Sequence, residues 1–225
     1  MFKDSDQSLL QGAQGSWQDI CRSIRIGFEF FRGFRQLRNM APCVTVFGSA
    51  RFQPHHPYYQ MARDMAQRLG TEGFTIMTGG GPGIMEAANR GARDVGAKSY
   101  GCNIKLPVEQ HPNPYLDVWA EFEHFYVRKV MLVKYSCAFV VLPGGFGTMD
   151  EVFEMLTLIQ TNKIKRFPIV AMGTEYWAHL QSFIRHTMIE YGTIDAEDLS
   201  QLLITDDIEE AYEHIRHHTQ YLCRT

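Results

Sequence analysis

The sequence predicts an α/β fold, a parallel sheet held between layers of helices. Three observations predict it. Short apolar runs rich in β-branched residues alternate with helix-length amphipathic stretches along most of the chain. Several of these runs end in glycine-rich turns, chiefly Thr78-Gly79-Gly80-Gly81-Pro82-Gly83 and Pro143-Gly144-Gly145-Phe146-Gly147. The chain has 225 residues and 45% hydrophobic content, which supplies one sizeable core.

The elements follow in order. Residues 16–39 read as a helix with Trp17, Ile20, Ile24, Phe28, Phe31 and Phe34 on one side and arginines on the other. No sheet needs this helix, so it packs outside the domain or on a partner chain. Cys43–Phe47 is a strand, ended by Gly48-Ser49-Ala50-Arg51, and a helix runs from Tyr58 to Leu69. The second strand, Phe74–Met77, ends in the first glycine-rich turn and is followed by a helix over Ile84–Val95. A third strand spans Ser99–Ile104, and a loop rich in Pro and Asn covers Pro107–Leu116. A helix over Tyr126–Tyr135 leads to the strand Ala138–Leu142. The helix after the second glycine turn reaches Lys163, Pro168–Met172 is a further strand, and helices near 175–190 and 207–218 close the chain. This pattern is a three-layer, Rossmann-like parallel sheet flanked by helices, with an extra N-terminal helix. It reads as a single domain over 1–225: the helix at 16–39, a core at 42–172 and C-terminal helices at 173–225.

Bulk properties narrow the function classes. The formal net charge is −3, so nothing asks for a nucleic-acid partner. No apolar run reaches the roughly 18–20 residues of a membrane span, and Met1–Gly15 lacks the charged start and apolar middle of a secretory signal. The five cysteines form no CxxC pair, and three sit in or beside strand-like runs. They read as free thiols in a reducing cytoplasm. His55-His56 and His217-His218 lack HxxxH or HExxH spacing, so no metal site is expected.

The glycine turns lie where α/β sheets bind ligands, at the carboxyl ends of strands. A dinucleotide site needs GxGxxG, and the sixth place is Ile84, Glu86 or Asp150 in the three available registers. A P-loop needs GxxxxGK[ST], and neither turn has that lysine. A phosphate-sized or nucleotide-sized site at the sheet edge remains, with phosphate on the free N–H groups of Gly145, Gly147 and Thr148. Gly48 and Ser49 sit at the same edge. A purely structural alternative stands beside this one: Thr148-Met149-Asp150-Glu151 fits the capping box [ST]-x-x-[DE], with Glu151 folded back on the cap.

Pro143-Gly144-Gly145-Phe146-Gly147-Thr148-Met149-Asp150-Glu151 resembles the PGGxGTxxE signature of the LOG ("lonely guy") family, the cytokinin riboside 5′-monophosphate phosphoribohydrolases. Phe125-Tyr126-Val127-Arg128-Lys129 looks like that family's Arg-Lys segment, and the turns Gly79–Glu86 and Gly48–Arg51 also resemble it. The likeness covers residues 42–172. The N-terminal helix and C-terminal extension look more like the longer subgroup. The resemblance implies hydrolysis of a nucleoside 5′-monophosphate, AMP or an N6-modified AMP such as isopentenyl-AMP, to free base and ribose 5-phosphate, within cytokinin biosynthesis. It implies no cofactor, and homo-oligomers with sites near a dimer interface. Glu151 takes the role of the carboxylate beside the ribose, and a place in the first helical turn should keep it ionised at neutral pH. Arg128 is the second catalytic residue, its fork suited to phosphate. The substrate set implied is Gly48, Ser49, Glu109 and Lys129; Gly144, Gly145, Phe146, Gly147, Thr148, Met149 and Asp150 of the signature; and Thr157. Asp150 also reads as a plain helix N-terminal acid, and Glu109 as a solvated one. Tyr115, Trp119 and Phe122 line a base pocket or pack the core. The family was often labelled "lysine decarboxylase", but no lysine lies in either glycine turn. Molybdenum-cofactor carriers share the fold, so a nucleotide-binding or cofactor-binding carrier is the alternative.

Overall fold

The structure, a computed structural model, describes residues 16–38, 42–106 and 111–219, together with Asp6 and Met40. Seven strands form one sheet: β1 Cys43–Phe47, β2 Thr75–Thr78, β3 Ser99–Ile104, β4 Val118–Phe122, β5 Ser136–Val141, β6 Ile169–Ala171 and β7 Leu202–Ile204. The order is β4-β3-β2-β1-β5-β6-β7, and every pairing is parallel. The helices are α1 Ser16–Leu37, α2 Pro57–Thr71, α3 Ile84–Asp94, α4 Phe125–Lys134, α5 Phe146–Gln160, α6 Thr174–Phe183 and α7 Ile208–Thr219. A π-helical turn, Ile184–Ile189, continues α6.

Each face of the sheet buries its own apolar cluster. Side chains of α1, α4, α5 and α6 cover one face, and those of α2, α3 and α7 cover the other. The expected α/β three-layer fold is therefore present. Two strands go beyond the five read from sequence, and both are edges. In β4 only Ala120 and Phe122 are buried, while Glu121 is exposed, so the apolar run is broken. In β7 three half-buried residues are too few to show a pattern. The predicted helix near 175–190 is α6 plus its π-helical turn. Among the described residues Cys21, Cys43, Cys102 and Cys137 form no disulfide. No helix among them is long and apolar enough to cross a membrane.

The topology positions the site. From β1 the chain builds the sheet in one direction out to β4, then returns through α4 to lay β5 on the other side of β1. The turns after β1 and β5 therefore leave the sheet toward opposite faces and open a crevice between them. Three short bonds tie its walls together. Ser49 N donates to Pro143 O at 3.0 Å, Ile84 N to Ser49 O at 3.0 Å, and Leu142 N to Phe47 O at 2.9 Å.

Candidate active site

A cavity of about 830 Å³ fills this crevice. Its walls come from three strand ends: Gly48–Phe52 after β1, Gly79 and Met85 around the β2 turn, and Gly144–Met149 after β5. Arg128, Glu151 and Tyr176 complete the lining.

One wall is the start of α5. Gly145 is its N-cap and the helix begins at Phe146, with no side chain capping the first turn. The capping-box expectation is thereby corrected. Thr148 already lies inside the helix, its N–H bonded to Gly145 O at 3.0 Å. Its side chain fills the space beside Gly144, where a Cβ would collide with it. Gly145 and Gly147 differ. A Cβ on either would meet nothing within 4 Å, and neither has positive φ. No packing or backbone demand calls for glycine there. What the two glycines leave is open room over the uncapped N–H groups of a 15-residue helix, an arrangement able to receive an anion. Phe146 between them is 96% exposed and stands at the mouth of the cavity.

The floor holds the charged pair. Glu151 is only 3% exposed. Arg128 reaches it from α4: its Nε donates to Cys102 O within β3 (2.9 Å), and one terminal nitrogen lies 3.5 Å from Glu151 Oε1. Gly79 makes this reach possible, because a Cβ there would come within 2.6 Å of the guanidinium. Glu151 Oε2 is buried with no hydrogen-bond partner among the described residues. Burial pushes the Glu151 carboxyl up to about 7, against the opposing pull of Arg128 and then Lys129. The expectation of a permanently ionised first-turn glutamate is corrected on both counts. Glu151 is the sixth residue of α5, beyond reach of most of the helix-end charge, and desolvation outweighs its cationic neighbours.

The other predicted residues divide. Gly48, Ser49, Gly144, Gly145, Phe146, Gly147, Thr148 and Met149 all line the cavity. Ser49 Oγ also accepts from Arg51 N at 3.1 Å, which shapes the turn. Lys129 does not line it. Adjacent helix residues diverge by about 100°, and Lys129 instead bridges Asp150 at 2.8 Å and Glu154 at 2.9 Å. Asp150 is accordingly a surface partner for Lys129. Thr157 is exposed, and its hydroxyl donates to Phe153 O of its own helix at 2.7 Å. Glu109 lies outside the described residues. Of the aromatic trio, Phe122 is fully buried in the core, and neither Tyr115 nor Trp119 lines the cavity. Among the described residues no group of three or more His, Cys, Asp or Glu forms a metal-holding cluster.

Sequence reasoning missed Tyr176. Its hydroxyl donates to Gly144 O at 2.6 Å, pinning the signature turn from α6. The start of α6 is itself held by Asp206, which accepts from Gly173 N, Thr174 N and the Thr174 hydroxyl at 2.6–2.9 Å. The only available signal was that the turn after β6 also opens at the carboxyl edge. Arg51, Phe52 and Met85 complete the rim without having been predicted.

A family model described as "Possible lysine decarboxylase" matches residues 85–215, more than half of the chain. The chain belongs to this family, the LOG family. Its relatives include a cytokinin riboside 5′-monophosphate phosphoribohydrolase of Rhodococcoides fascians, 28% identical over 80% of this chain and 92% of that protein. The rice enzyme of the same name is 29% identical over 77% and 71%. A pyrimidine/purine nucleotide 5′-monophosphate nucleosidase of Escherichia coli K12 is 27% identical over 59% of this chain, which corresponds to 32% of that longer protein. The fold matches the molybdenum cofactor binding protein of Rippkaea orientalis, with a TM-score of 0.59, 21% identity, and coverage of 80% and 98%. It also matches the structural-genomics target TM1055, with a TM-score of 0.61, 24% identity, and coverage of 78% and 99%. The decarboxylase wording does not fit this LOG-family site. No lysine lines the cavity among the described residues, and Lys129 is engaged by two carboxylates, so no side chain there suits a pyridoxal Schiff base.

Proposed function

We propose that this chain hydrolyses the N-glycosidic bond of a nucleoside 5′-monophosphate, AMP or an N6-modified AMP, giving free base and ribose 5-phosphate. The observation that carries this reading is Glu151: a buried carboxylate, one oxygen unpartnered, facing a cavity whose adjoining wall is an open phosphate cradle. The phosphate rests on the N–H groups at the start of α5. The ribose then lies over Glu151. As the bond from C1′ to the base nitrogen breaks, positive charge grows on the sugar, and the ionised carboxylate stabilises it. Water adds at C1′ and gives its proton to Glu151, whose affinity near neutrality suits that task. The departing base takes a proton from a second water, and the hydroxide so formed takes back the proton held on Glu151, which regenerates the carboxylate. Arg128 steadies the anionic carboxylate and the phosphate side of the substrate. The names of the relatives point to the same reaction class.

The test is to incubate the purified chain with AMP and with isopentenyl-AMP and to measure released base. Release from either supports the reading. Binding of both without release favours a carrier, a role for which the Arg128–Glu151 pair has no evident use.

The exposed apolar side of α1 supports self-association. Trp17, Ile20, Ile24, Phe28 and Phe31 are each at least half exposed, in a stripe with helical spacing. We therefore read the working form as a homo-oligomer. Phe28→Glu with Phe31→Glu is expected to lower the mass measured by light scattering to that of a smaller species. An unchanged mass sinks α1 as the interface. Four cysteines outside any disulfide fit a cytoplasmic setting.

A further inference from the structure

We propose that Glu29, on the extra N-terminal helix, is a positioning residue for Arg128: it caps the helix that carries the arginine. This rests on the reading of Arg128 as part of the hydrolytic site. The first N–H groups of a helix need partners from outside it. In α4 no side chain of its own supplies one, and the N-cap residue His124 makes no side-chain cap bond. Asp6 accepts from the first helical N–H, Phe125 N, at 3.2 Å, and Glu29 takes the N–H groups just before it, at the N-cap and the residue preceding it, from α1. Its Oε1 accepts from Glu123 N at 2.6 Å and from His124 N at 3.3 Å, and its Oε2 accepts from His124 Nδ1 at 2.6 Å. Both residues are buried, His124 at 2% and Glu29 at 9% exposure. His124 O in turn accepts from Arg128 N at 3.2 Å, so the capped turn is the one from which Arg128 projects.

Two neighbours on the same side of α1 make contacts of their own beside the cap. Arg32 donates to Glu121 O at 2.5 Å. Gly33 lets the helix close on α4 and β4, since a Cβ there would come within 2.9 Å of Phe122 and 3.0 Å of Met131. Residues 29, 32 and 33 share one helical face. The opposite face carries the exposed stripe. The helix that no sheet requires therefore connects the outer surface to the catalytic arginine, through one carboxylate.

The test compares Glu29→Ala, Glu29→Gln and the milder Glu29→Asp with Arg32→Ala in the full chain, well below every melting temperature. Glu29→Ala is expected to lower kcat for base release about tenfold to a hundredfold, the scale of a misplaced catalytic group. Glu29→Gln keeps a carbonyl oxygen for the two N–H groups and should recover most of that loss. Glu29→Asp falls between and serves if the alanine variant does not fold. Arg32→Ala should lower the melting temperature while leaving kcat within about twofold, because the cap stays in place. In an Arg128→Ala background, Glu29→Ala should cost nothing further. Wild-type kcat in folded Glu29→Ala, or an undiminished loss in the Arg128→Ala background, overturns the proposal. Hydrogen exchange over Phe125–Lys134 reads the cap without any substrate. It should rise in Glu29→Ala and not in Arg32→Ala, and unchanged exchange overturns the proposal. A wild-type chain that releases no base sinks the hydrolase reading alone, since exchange still decides the cap.

Discussion

Glu151→Gln is expected to reduce base release by about 10³-fold while leaving nucleotide binding within a few fold. The amide keeps the shape and loses the charge that the developing cation needs. Stability should move the other way. Glu151 has a folded pKa of about 7 against 4.5 for a free carboxyl, because the buried site disfavours its ionised form. The folded chain therefore holds the proton more tightly than the unfolded chain does. Below about pH 4.5 the group costs nothing; the penalty grows as pH rises toward 7 and is complete above it. The gap amounts to roughly 3 kcal/mol. Denaturant unfolding at pH 5 and pH 8 should show the Gln variant gaining on the wild type with rising pH. Activity of the wild type should climb with pH along a one-proton limb near 7 in kcat/KM, apart from any limb of the substrate phosphate, whose second pKa is about 6. A Gln variant with wild-type turnover would sink the mechanism. A wild-type profile flat from pH 5.5 to 8.5 would sink the assignment of Glu151 as the proton acceptor.

Arg128→Ala is expected to cost about 10²-fold or more in turnover and to move the ascending limb to higher pH. The direction follows from the charges, since Arg128 is the largest influence holding the Glu151 carboxyl down and burial is left less opposed without it. Arg128→Lys should not restore activity. The guanidinium spans two fixed points, Cys102 O and Glu151, from one planar group, and an ammonium on a flexible stem reaches one at a time. Gly79 sharpens the same point, because the chain keeps a side chain away from the very space the guanidinium occupies. Full rescue by lysine would show that only the positive charge matters.

The contrast between what was legible and what was not runs along one physical line. Strands β1, β2, β3, β5 and β6 are buried along most or all of their length, and such strands leave continuous apolar runs in a sequence. The edges β4 and β7 are covered only in part and leave none. The signature turn was legible because its glycines stand together in one short stretch of chain. Even so, the capping box misled. It assumed a helix capped by Thr148, whereas the extended backbone of Gly145 starts it at Phe146 and turns Thr148 inward against Gly144.

The resemblance to the LOG family singled out Arg128 and Glu151, and the sequence by itself determined the alternation of strands and helices and the glycine-rich turns that end the strands. These are properties of neighbouring residues, set by periodicity and by glycine. Only the tertiary structure decided what those side chains are. Arg128 and Glu151 stand 23 residues apart in the chain and meet because α4 crosses back over the sheet before β5. Tyr176 reaches the signature turn from beyond β6, and Glu29 reaches α4 across 95 residues. The proton affinity of Glu151 follows from that assembly, because desolvation is imposed by everything packed around a group and by nothing in its own stretch of chain.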